Sequence, residues 1–228
     1  MREMDDLGVE IKGDSLKDKR ILLGITGGIA ATQSVKLLRE LRRFQCEVTV
    51  IMTESAQKVI TPLAISWAGN CKVITDWEHG MIGLNEFDGV LIAPATRNIL
   101  AKIVNGIIDS PILMALSAAK TNNTPVMIVP SMHSSMANDP ITIKLSGQIK
   151  SLGFRLLWGD KKESKFKQPS EITIVANFSN HVNSYLPKRK NVVITLGSTL
   201  TYIDDIRYVK NSSTGKTGYE IASKLHRW

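Results

Sequence analysis

A glycine-rich turn near the amino terminus has the composition of a phosphate-binding loop. Residues 24–31 read Gly-Ile-Thr-Gly-Gly-Ile-Ala-Ala. Glycines at this spacing allow the backbone N–H groups at the start of a helix to approach a bound anion, which the helix dipole also attracts. The spacing is not G-x-G-x-x-G with an acidic residue about 20 positions later, so a mononucleotide is favoured over a dinucleotide. The alternative interpretation is a tight turn that binds no ligand.

The segments around this turn alternate between strand and helix patterns. Short apolar runs predict strands over residues 21–25, 47–52, 89–93, 125–129 and 154–157. Apolar residues at helical spacing predict helices over residues 28–44, 61–69, 98–107, 111–120, 141–152 and 170–185. This alternation predicts a flavodoxin-like (Rossmann-like) α/β fold, in which a parallel sheet carries helices on both faces.

Changes in pattern predict four segments. They are a mobile leader (1–18), the main domain (19–186), a linker (187–190) and a last α/β segment (191–228). The last segment contains a predicted strand over residues 191–196 and a predicted helix over residues 218–228. One strand, one loop and one helix in about 40 residues cannot cover a sheet on both faces. As given, this segment is expected to be incomplete and to need further sequence, another chain or the first domain.

The composition excludes several classes of protein. No apolar run reaches about 18 residues, and the amino terminus carries charges of both signs, so we expect a cytoplasmic protein with no membrane partner. The net charge of +8 is concentrated in residues 161–167 and 188–190, and aromatic residues make up only 6%. A phosphorylated small molecule therefore suits the charge, and no nucleic-acid partner is expected. Only Cys46 and Cys71 are present, so neither a disulfide framework nor a metal site is expected.

Four further segments follow the glycine turn in a specific order. They are Thr53-Glu54-Ser55-Ala56 with Ile60-Thr61-Pro62-Leu63, Ala93-Pro94-Ala95-Thr96 with Asn98, Asn105-Gly106-Ile107 with Asp109, and Pro130-Ser131-Met132-His133-Ser134-Ser135-Met136. As an ordered set over residues 19–185, they closely resemble the flavin-containing cysteine decarboxylases. Within that family, the resemblance is to the phosphopantothenoylcysteine decarboxylase half of the bifunctional coenzyme A biosynthesis flavoproteins.

The tail of the chain resembles the domain that follows in those bifunctional proteins. Residues 197–199, 203–207 and 211–218 are similar to the opening of the phosphopantothenate–cysteine ligase domain. The resemblance implies that Arg207 and Asn211 handle an acyl-cytidylate intermediate, and Lys216 could meet a nucleotide phosphate in the turn that precedes the last helix. Ligase activity is not expected from this chain alone.

The resemblance implies a cofactor, a reaction and an assembly. It implies FMN, which supports decarboxylation of 4'-phospho-N-pantothenoylcysteine to 4'-phosphopantetheine, and a homotrimer or a multiple of trimers with the flavin near the subunit interface. It places the flavin phosphate at Gly27, Gly28, Ile29 and Ala30, the ribityl chain or phosphate beside Thr53 and Ala56, and the ring near Ala95, Thr96 and Asn98. It places the substrate at Asn105, Met132 and Met136.

Three departures from the family pattern keep other functions open. His79, the favoured acid/base or carboxylate-positioning group, lies one residue farther from Asp88 than the family spacing, and it could instead be a surface histidine. His133 replaces an asparagine, so the imidazole either loses a donor or gains a charge. Residues 159–169 lack the cysteine of the family's flap. The alternatives are an FMN-binding subunit with little decarboxylase activity that completes a shared oligomeric site, and a flavin prenyltransferase-like protein.

Overall fold

The computed structural model describes residues 8–77, 86–162, 165–187 and 189–228. Its strands are β1 (Arg20–Ile25), β2 (Glu47–Met52), β3 (Val73–Ile74), β4 (Gly89–Ala95), β5 (Val126–Pro130), β6 (Met132–His133), β7 (Arg155–Leu156), β8 (Lys161–Lys162), β9 (Lys165–Phe166), β10 (Leu200–Tyr202) and β11 (Tyr208–Lys210). Its α-helices are α1 (Ser34–Arg42), α2 (Glu54–Gln57), α3 (Pro62–Gly69), α4 (Arg97–Val104), α5 (Pro111–Thr121), α6 (Ser134–Ala137), α7 (Pro140–Ser151), α8 (Glu171–Asn183) and α9 (Lys216–Leu225), and a 3-10 helix (Ile29–Gln33) precedes α1.

The main sheet has six strands in the order β3-β2-β1-β4-β5-β7. Each neighbouring pair is parallel, and Leu22 of β1 lies opposite Thr49 of β2 and Val90 of β4. Helices cover both faces, so the predicted flavodoxin-like fold is confirmed. The predicted strands and helices of the main domain differ from the observed ones by three residues or fewer at each end.

Alternate residues of the central strands enter two separate hydrophobic cores. Ile21 and Leu23 of β1 pack into the core that α1, α3 and α8 cover, whereas Leu22 packs into the core under α4, α5 and α7. This follows from the two-residue period of a strand, which directs successive side chains to opposite faces. Every residue of β4 is buried, as expected for a strand covered on both faces.

The segment before β1 is packed against the main domain. Leu16 is fully buried in the first core, and its backbone N–H donates to the Phe44 carbonyl at 3.2 Å. Lys12 forms an ion pair of 3.1 Å with the buried carboxylate of Glu40 on α1. The predicted mobile leader is therefore wrong for residues 12–18. A single leucine in a polar segment gives no periodicity, although it covers the end of α1.

The carboxyl-terminal segment also differs from its prediction. Residues 191–196 form no strand, and Val193 is 91% exposed. A strand requires a partner to accept and donate its backbone hydrogen bonds, and the described residues provide none at this position. The regular structure lies instead in the antiparallel hairpin β10–β11 and in α9, which begins two residues before the predicted helix.

Residues 159–169 contain more structure than their polar sequence suggests. The strand β9 pairs with β8 on one side and with β6 on the other, which places Met132 opposite Phe166 and His133 opposite Lys165. The Phe166 ring packs edge-on against Trp158, with the ring centroids 5.6 Å apart. Among the described residues, no helix is long and apolar enough to cross a membrane.

The burial of Leu16 generates a stability prediction. We expect Leu16→Ala to lower the free energy of unfolding by about 2–5 kcal/mol, because it removes fully buried methyl groups and leaves a cavity. Ile11→Ala is the matched control, since Ile11 is 54% exposed in the same segment, and it should change stability by no more than about 0.5 kcal/mol. Urea denaturation measures both. If the two variants were equally stable, the interpretation of this segment as a mobile leader would be correct.

Candidate functional site

A cavity of about 460 Å³ opens at the carboxyl ends of the parallel strands. The turns after β1, β2 and β4 contribute Gly27, Thr53 and the pair Thr96 and Asn98, and the segment after β3 adds Thr75–Trp77. The loop before α5 and the start of α5 close the cavity from below with residues 109–112. Because the strands are parallel, all of these turns meet at one edge, where ligands of open α/β sheets bind.

Gly27 lies against the turn that follows β2. A Cβ atom at residue 27 would lie 2.8 Å from the carbonyl carbon of Ser55 and would also collide with the Ser55 side chain. Real Cβ atoms do not approach carbonyl carbons so closely, so only glycine permits this contact. The chain then continues through Gly28, whose backbone is extended, into the 3-10 helix. The first N–H groups of such a helix have no acceptor within the helix, so a ligand at this edge can accept them.

Thr26 joins the turns after β1 and β4. Its buried hydroxyl donates to the Pro94 carbonyl at 2.8 Å and accepts from the Thr96 backbone N–H at 3.0 Å. The peptide bond between Ala93 and Pro94 is cis. Thr26 also lines the cavity. The sequence reasoning missed this residue, although its place inside the glycine turn was a usable signal.

Two threonines fix the turns that face the cavity. The Thr53 hydroxyl accepts from the Ala56 N–H at 3.2 Å at the start of α2, and the Thr96 hydroxyl accepts from the Ile99 N–H at 3.4 Å at the start of α4. An N-terminal capping hydroxyl of this kind keeps its proton free to donate to another group. Both hydroxyls can therefore donate to a ligand in the cavity.

Several predicted flavin residues have side chains that do not line the cavity. Ala56 and Ala95 are fully buried in the hydrophobic cores, Ile29 is 80% exposed, and Ala30 is buried beside it. Any contact of these residues with a ligand at this edge would be made by their backbone atoms. Asn98, by contrast, is exposed and lines the cavity.

The cavity also carries charged side chains. Lys102 lies one helical turn after Asn98 on α4 and forms an ion pair of 2.6 Å with Asp109. Glu54 lies at the opposite wall, where a hydrogen bond from Lys58 lowers the pKa of its carboxyl group. Asn105 follows Lys102 in sequence, but its amide donates to the Ala101 carbonyl at 2.8 Å and does not line the cavity.

The residues predicted to contact the substrate, His133, Met132 and Met136, lie outside this cavity. His133 is exposed, and its Nδ1 atom lies 3.5 Å from the Ser135 hydroxyl. Met132 is half-buried on β6, and Met136 is 41% exposed on α6. None of the three lines the cavity within one chain. His79 lies outside the described residues.

The ligase-like residues form a separate surface. The Arg207 side chain donates to Asp204 at 2.6 Å, and these hydrogen bonds lower the pKa of the Asp204 carboxyl group. Asn211 donates to the Thr199 hydroxyl at 2.9 Å. Lys216 begins α9 directly after Gly215, which adopts a left-handed backbone, and it lines a second cavity of about 420 Å³. The three residues therefore share one small unit, and only Lys216 lines its cavity.

The two cysteines are suited to packing rather than to catalysis. Burial raises the pKa of the Cys46 thiol to about 12 and that of the Cys71 thiol to about 11. Both thiols are therefore neutral near pH 7 and are poor nucleophiles. Within the described ranges, no three His, Cys, Asp or Glu side chains are grouped to hold a metal ion.

The sheet and its edge cavity define the class of open α/β proteins that bind ligands at the carboxyl ends of their strands. The chain belongs to the flavoprotein family, since the family model described as "Flavoprotein" matches residues 10–196. A second model, described as "DNA/pantothenate metabolism flavoprotein C-terminal domain", matches residues 187–228.

Curated relatives extend the similarity to nearly the whole chain. The coenzyme A biosynthesis bifunctional protein CoaBC of Thermococcus kodakarensis is 38% identical over 220 residues, which cover 93% of this chain and 54% of that protein. The protein of the same name in Escherichia coli K12 is 33% identical over 235 residues, covering 93% and 55% respectively. The chain thus spans about half the length of the curated relatives it matches.

Solved structures share the fold. The FMN-dependent cysteine decarboxylase SpaF is 27% identical, with a TM-score of 0.58 over 62% of this chain and 85% of that one. A mutant PPC decarboxylase complexed with pantothenoylaminoethenethiol has a TM-score of 0.62 at 23% identity, over 69% and 94%. The family resemblance inferred from the ordered motifs is confirmed.

The hydrogen bonds of Thr26 generate a second prediction. We expect Thr26→Val to lower the free energy of unfolding by about 1–3 kcal/mol, because the Thr96 N–H loses the hydroxyl that accepts from it. The Pro94 carbonyl keeps only the longer hydrogen bond from the Thr26 backbone N–H, at 3.3 Å. Thr26→Ser is the control, since it keeps the hydroxyl and removes only a methyl group. Urea denaturation of both variants provides the measurement. A valine variant as stable as the serine variant would show that these hydrogen bonds do not join the two turns.

Proposed function

We propose that this chain is an FMN-dependent decarboxylase that converts 4'-phospho-N-pantothenoylcysteine to 4'-phosphopantetheine in coenzyme A biosynthesis. The observation that carries the proposal is the cavity built by Gly27, Thr53, Thr96 and Asn98 at the carboxyl edge of the sheet. It occurs in a member of the flavoprotein family whose curated relatives are named as coenzyme A biosynthesis proteins. A solved structure at 27% identity is named as an FMN-dependent cysteine decarboxylase.

The residues at this edge suit a flavin mononucleotide. The cavity volume of about 460 Å³ falls within the range of cofactor sites, roughly 300–1,000 Å³. Gly27 and Gly28 lead into the 3-10 helix, whose first N–H groups, those of Ile29 and Ala30, favour a phosphate. The Gly28 N–H itself donates to the Thr26 carbonyl at 3.0 Å, so Gly28 would admit the phosphate through its lack of a side chain. When bound, FMN supplies the oxidation and reduction of the substrate that make loss of CO2 possible. The chain's own residues bind and orient the cofactor and the substrate.

The side chains of the cavity divide this task. The Thr53 hydroxyl would donate to the ribityl chain or the phosphate and the Thr96 hydroxyl to the ring, with Ala56 and Ala95 contributing through the backbone only. Asn98 provides an amide that can donate and accept without a change of charge. Trp77, which is 50% exposed at the rim, offers an aromatic face that would exclude water from a bound ring system.

We propose that the substrate carboxylate meets His79 and His133, with Asn105, Met132 and Met136 beside the substrate. His133 lies outside the cavity of its own chain, which supports a site completed by a second copy. We therefore propose a homotrimer or a multiple of trimers with the flavin near the subunit interface. We also propose that the protein acts in the cytoplasm on a phosphorylated small molecule, without a nucleic-acid or membrane partner.

A second candidate function is an FMN-binding subunit with little decarboxylase activity of its own, which completes a shared oligomeric site. The exposed position of His133 and the absence of cysteine from residues 159–169 favour it. A flavin prenyltransferase-like function is less suited, because residues 187–228 match a pantothenate metabolism domain. In that segment we propose nucleotide-handling roles for Arg207, Asn211 and Lys216, without ligase activity from this chain alone.

Flavin content tests the cavity. We expect Gly27→Ala to retain about tenfold less flavin than the wild-type chain, since a loss of about 1.4 kcal/mol changes an equilibrium constant tenfold. Gly147→Ala on α7 is the control, because a Cβ atom there would meet nothing within 4 Å. The measurement is flavin absorbance per mole of protein after dialysis. Full flavin content in the Gly27→Ala variant would overturn the assignment of the cavity.

Anaerobic mixing with 4'-phospho-N-pantothenoylcysteine tests the reaction. We expect the flavin-loaded chain to release CO2 and to form the product that mass spectrometry identifies as 4'-phosphopantetheine. His133→Ala should lower kcat/KM about tenfold, equivalent to about 1.4 kcal/mol of transition-state stabilisation. His133→Asn should retain more activity than His133→Ala, because an amide can still donate to a carboxylate. Bound flavin without product would contradict the catalytic proposal and favour the second candidate.

A further inference from the structure

One buried amide joins the two ends of the described chain. Asn183, at the end of α8, is 1% exposed, and its side-chain nitrogen donates to the Ser15 carbonyl at 2.8 Å and to the Arg227 carbonyl at 2.7 Å. A buried amide requires such partners, because an unsatisfied donor would cost free energy. Asn183 therefore connects the segment before β1 with the segment after α9.

Asn180, one helical turn earlier, makes a parallel contact. Its side-chain nitrogen donates to the His226 carbonyl at 2.7 Å, and its oxygen accepts from Arg155 at 3.2 Å. The last carbonyl groups of a helix have no donor within the helix. Asn180 and Asn183 of α8 thus donate to the two carbonyl groups that follow α9. Through these two hydrogen bonds, α8 binds the carboxyl-terminal end of α9.

The Arg227 side chain packs on Phe44, in the segment that follows α1. Its guanidinium carbon lies 4.2 Å from the centre of the Phe44 ring, at a distance where a cation is attracted to the aromatic face. Burial lowers the pKa of Arg227, and the negative charge of Glu40 opposes this effect. Glu40 is itself buried, and it pairs with Lys12 at 3.1 Å and with Arg43 at 2.8 Å. Charge complementarity therefore accompanies the hydrogen bonds.

We propose that α1, α8 and residues 12–16 form a docking surface that holds the ligase-like unit, residues 191–228, in one orientation against the flavin-binding domain. The occupant is this chain's own unit, recognised through the carbonyls of His226 and Arg227 and through the Arg227 guanidinium. The 187–190 segment then connects two units that move as one body. The proposal does not depend on decarboxylase activity, since it rests only on contacts remote from the cavity.

The docking surface includes α1, which follows the glycine turn and its 3-10 helix in the chain. The 3-10 helix of residues 29–33 leads directly into α1, Glu40 lies in the last turn of α1, and Phe44 follows two residues after its end. A docked ligase-like unit would therefore rest on the element that supports the candidate phosphate site. This arrangement would fix the distance between the cavity at the carboxyl edge of the sheet and the cavity that Lys216 lines.

Hydrogen–deuterium exchange and small-angle scattering of the intact chain test the docking. The variants are Asn183→Leu, which removes both donor contacts at similar volume, and Arg227→Met, which removes the contact with Phe44. The control is Asn177→Leu on the same helix, because the Asn177 amide donates to the Thr173 carbonyl at 2.9 Å and bonds no residue of the ligase-like unit. Flavin content reports whether the main domain remains folded.

We expect both variants to lose protection in α9 by about tenfold, which corresponds to about 1.4 kcal/mol, and to show a larger radius of gyration. The control should match the wild-type chain in both measurements. The proposal would be wrong if Arg227→Met had the same α9 protection and the same radius of gyration as the wild-type chain. It would also be wrong if the radius of gyration of the wild-type chain matched that of a freely tethered unit. If Asn183→Leu also loses flavin, the main domain has unfolded and Arg227→Met alone decides the outcome.

Discussion

The contact between Gly27 and Ser55 is the constraint on which the candidate site depends. The backbone at residue 27 leaves no room for a Cβ atom beside the Ser55 carbonyl carbon. This contact fixes the turn after β1 against the turn after β2, and the Thr26 hydroxyl fixes the same turn to Pro94 and Thr96 after β4. Three strand ends are thus held at set distances by one glycine and one threonine. The cavity is the space that remains between them.

Packing in the second hydrophobic core places the start of α5 at the carboxyl edge of the sheet. A Cβ atom at Gly24 would lie 2.6 Å from the end of the Ile92 side chain and would collide with the Ile112 side chain, so Ile112 of α5 fills the space that Gly24 leaves on β1. A glycine on a strand leaves room for a neighbouring side chain to approach the strand backbone. Because Ile112 lies in the first turn of α5, the same packing places Ser110 and Asp109 at the cavity. The floor of the site therefore follows from core packing.

Much of the fold could be predicted because its strands are short, apolar and separated by periodic helices. The residues at strand ends, such as Gly27, Thr53 and Thr96, could be predicted as a group for the same reason. Leu16 could not, because one apolar residue in a polar segment has no period, and its burial depends on the space beside Phe44. Residues 191–196 have a strand's composition, yet a strand forms only where another strand offers its backbone groups.

The site itself was only partly predictable. Thr75–Trp77 follow β3, a strand of two residues that is too short to give a pattern, so their place at the cavity depends on tertiary structure. The position of His133 also depends on tertiary pairing, since β6 is fixed to β9 more than 30 residues later in the chain. Motif order placed His133 in the same functional group as Gly27, but order along a chain does not give distance in space.

The separation of His133 from the cavity has a consequence for the proposed chemistry. Backbone pairing of Met132 with Phe166 and of His133 with Lys165 makes β6 part of the small sheet formed with β8 and β9. The Phe166 ring in turn rests on Trp158. In the proposed oligomer, this sheet would carry His133 to the cavity of another copy. The cofactor cavity and the carboxylate-binding group would then be supplied by different copies, so the rate of the reaction would depend on assembly as well as on flavin content.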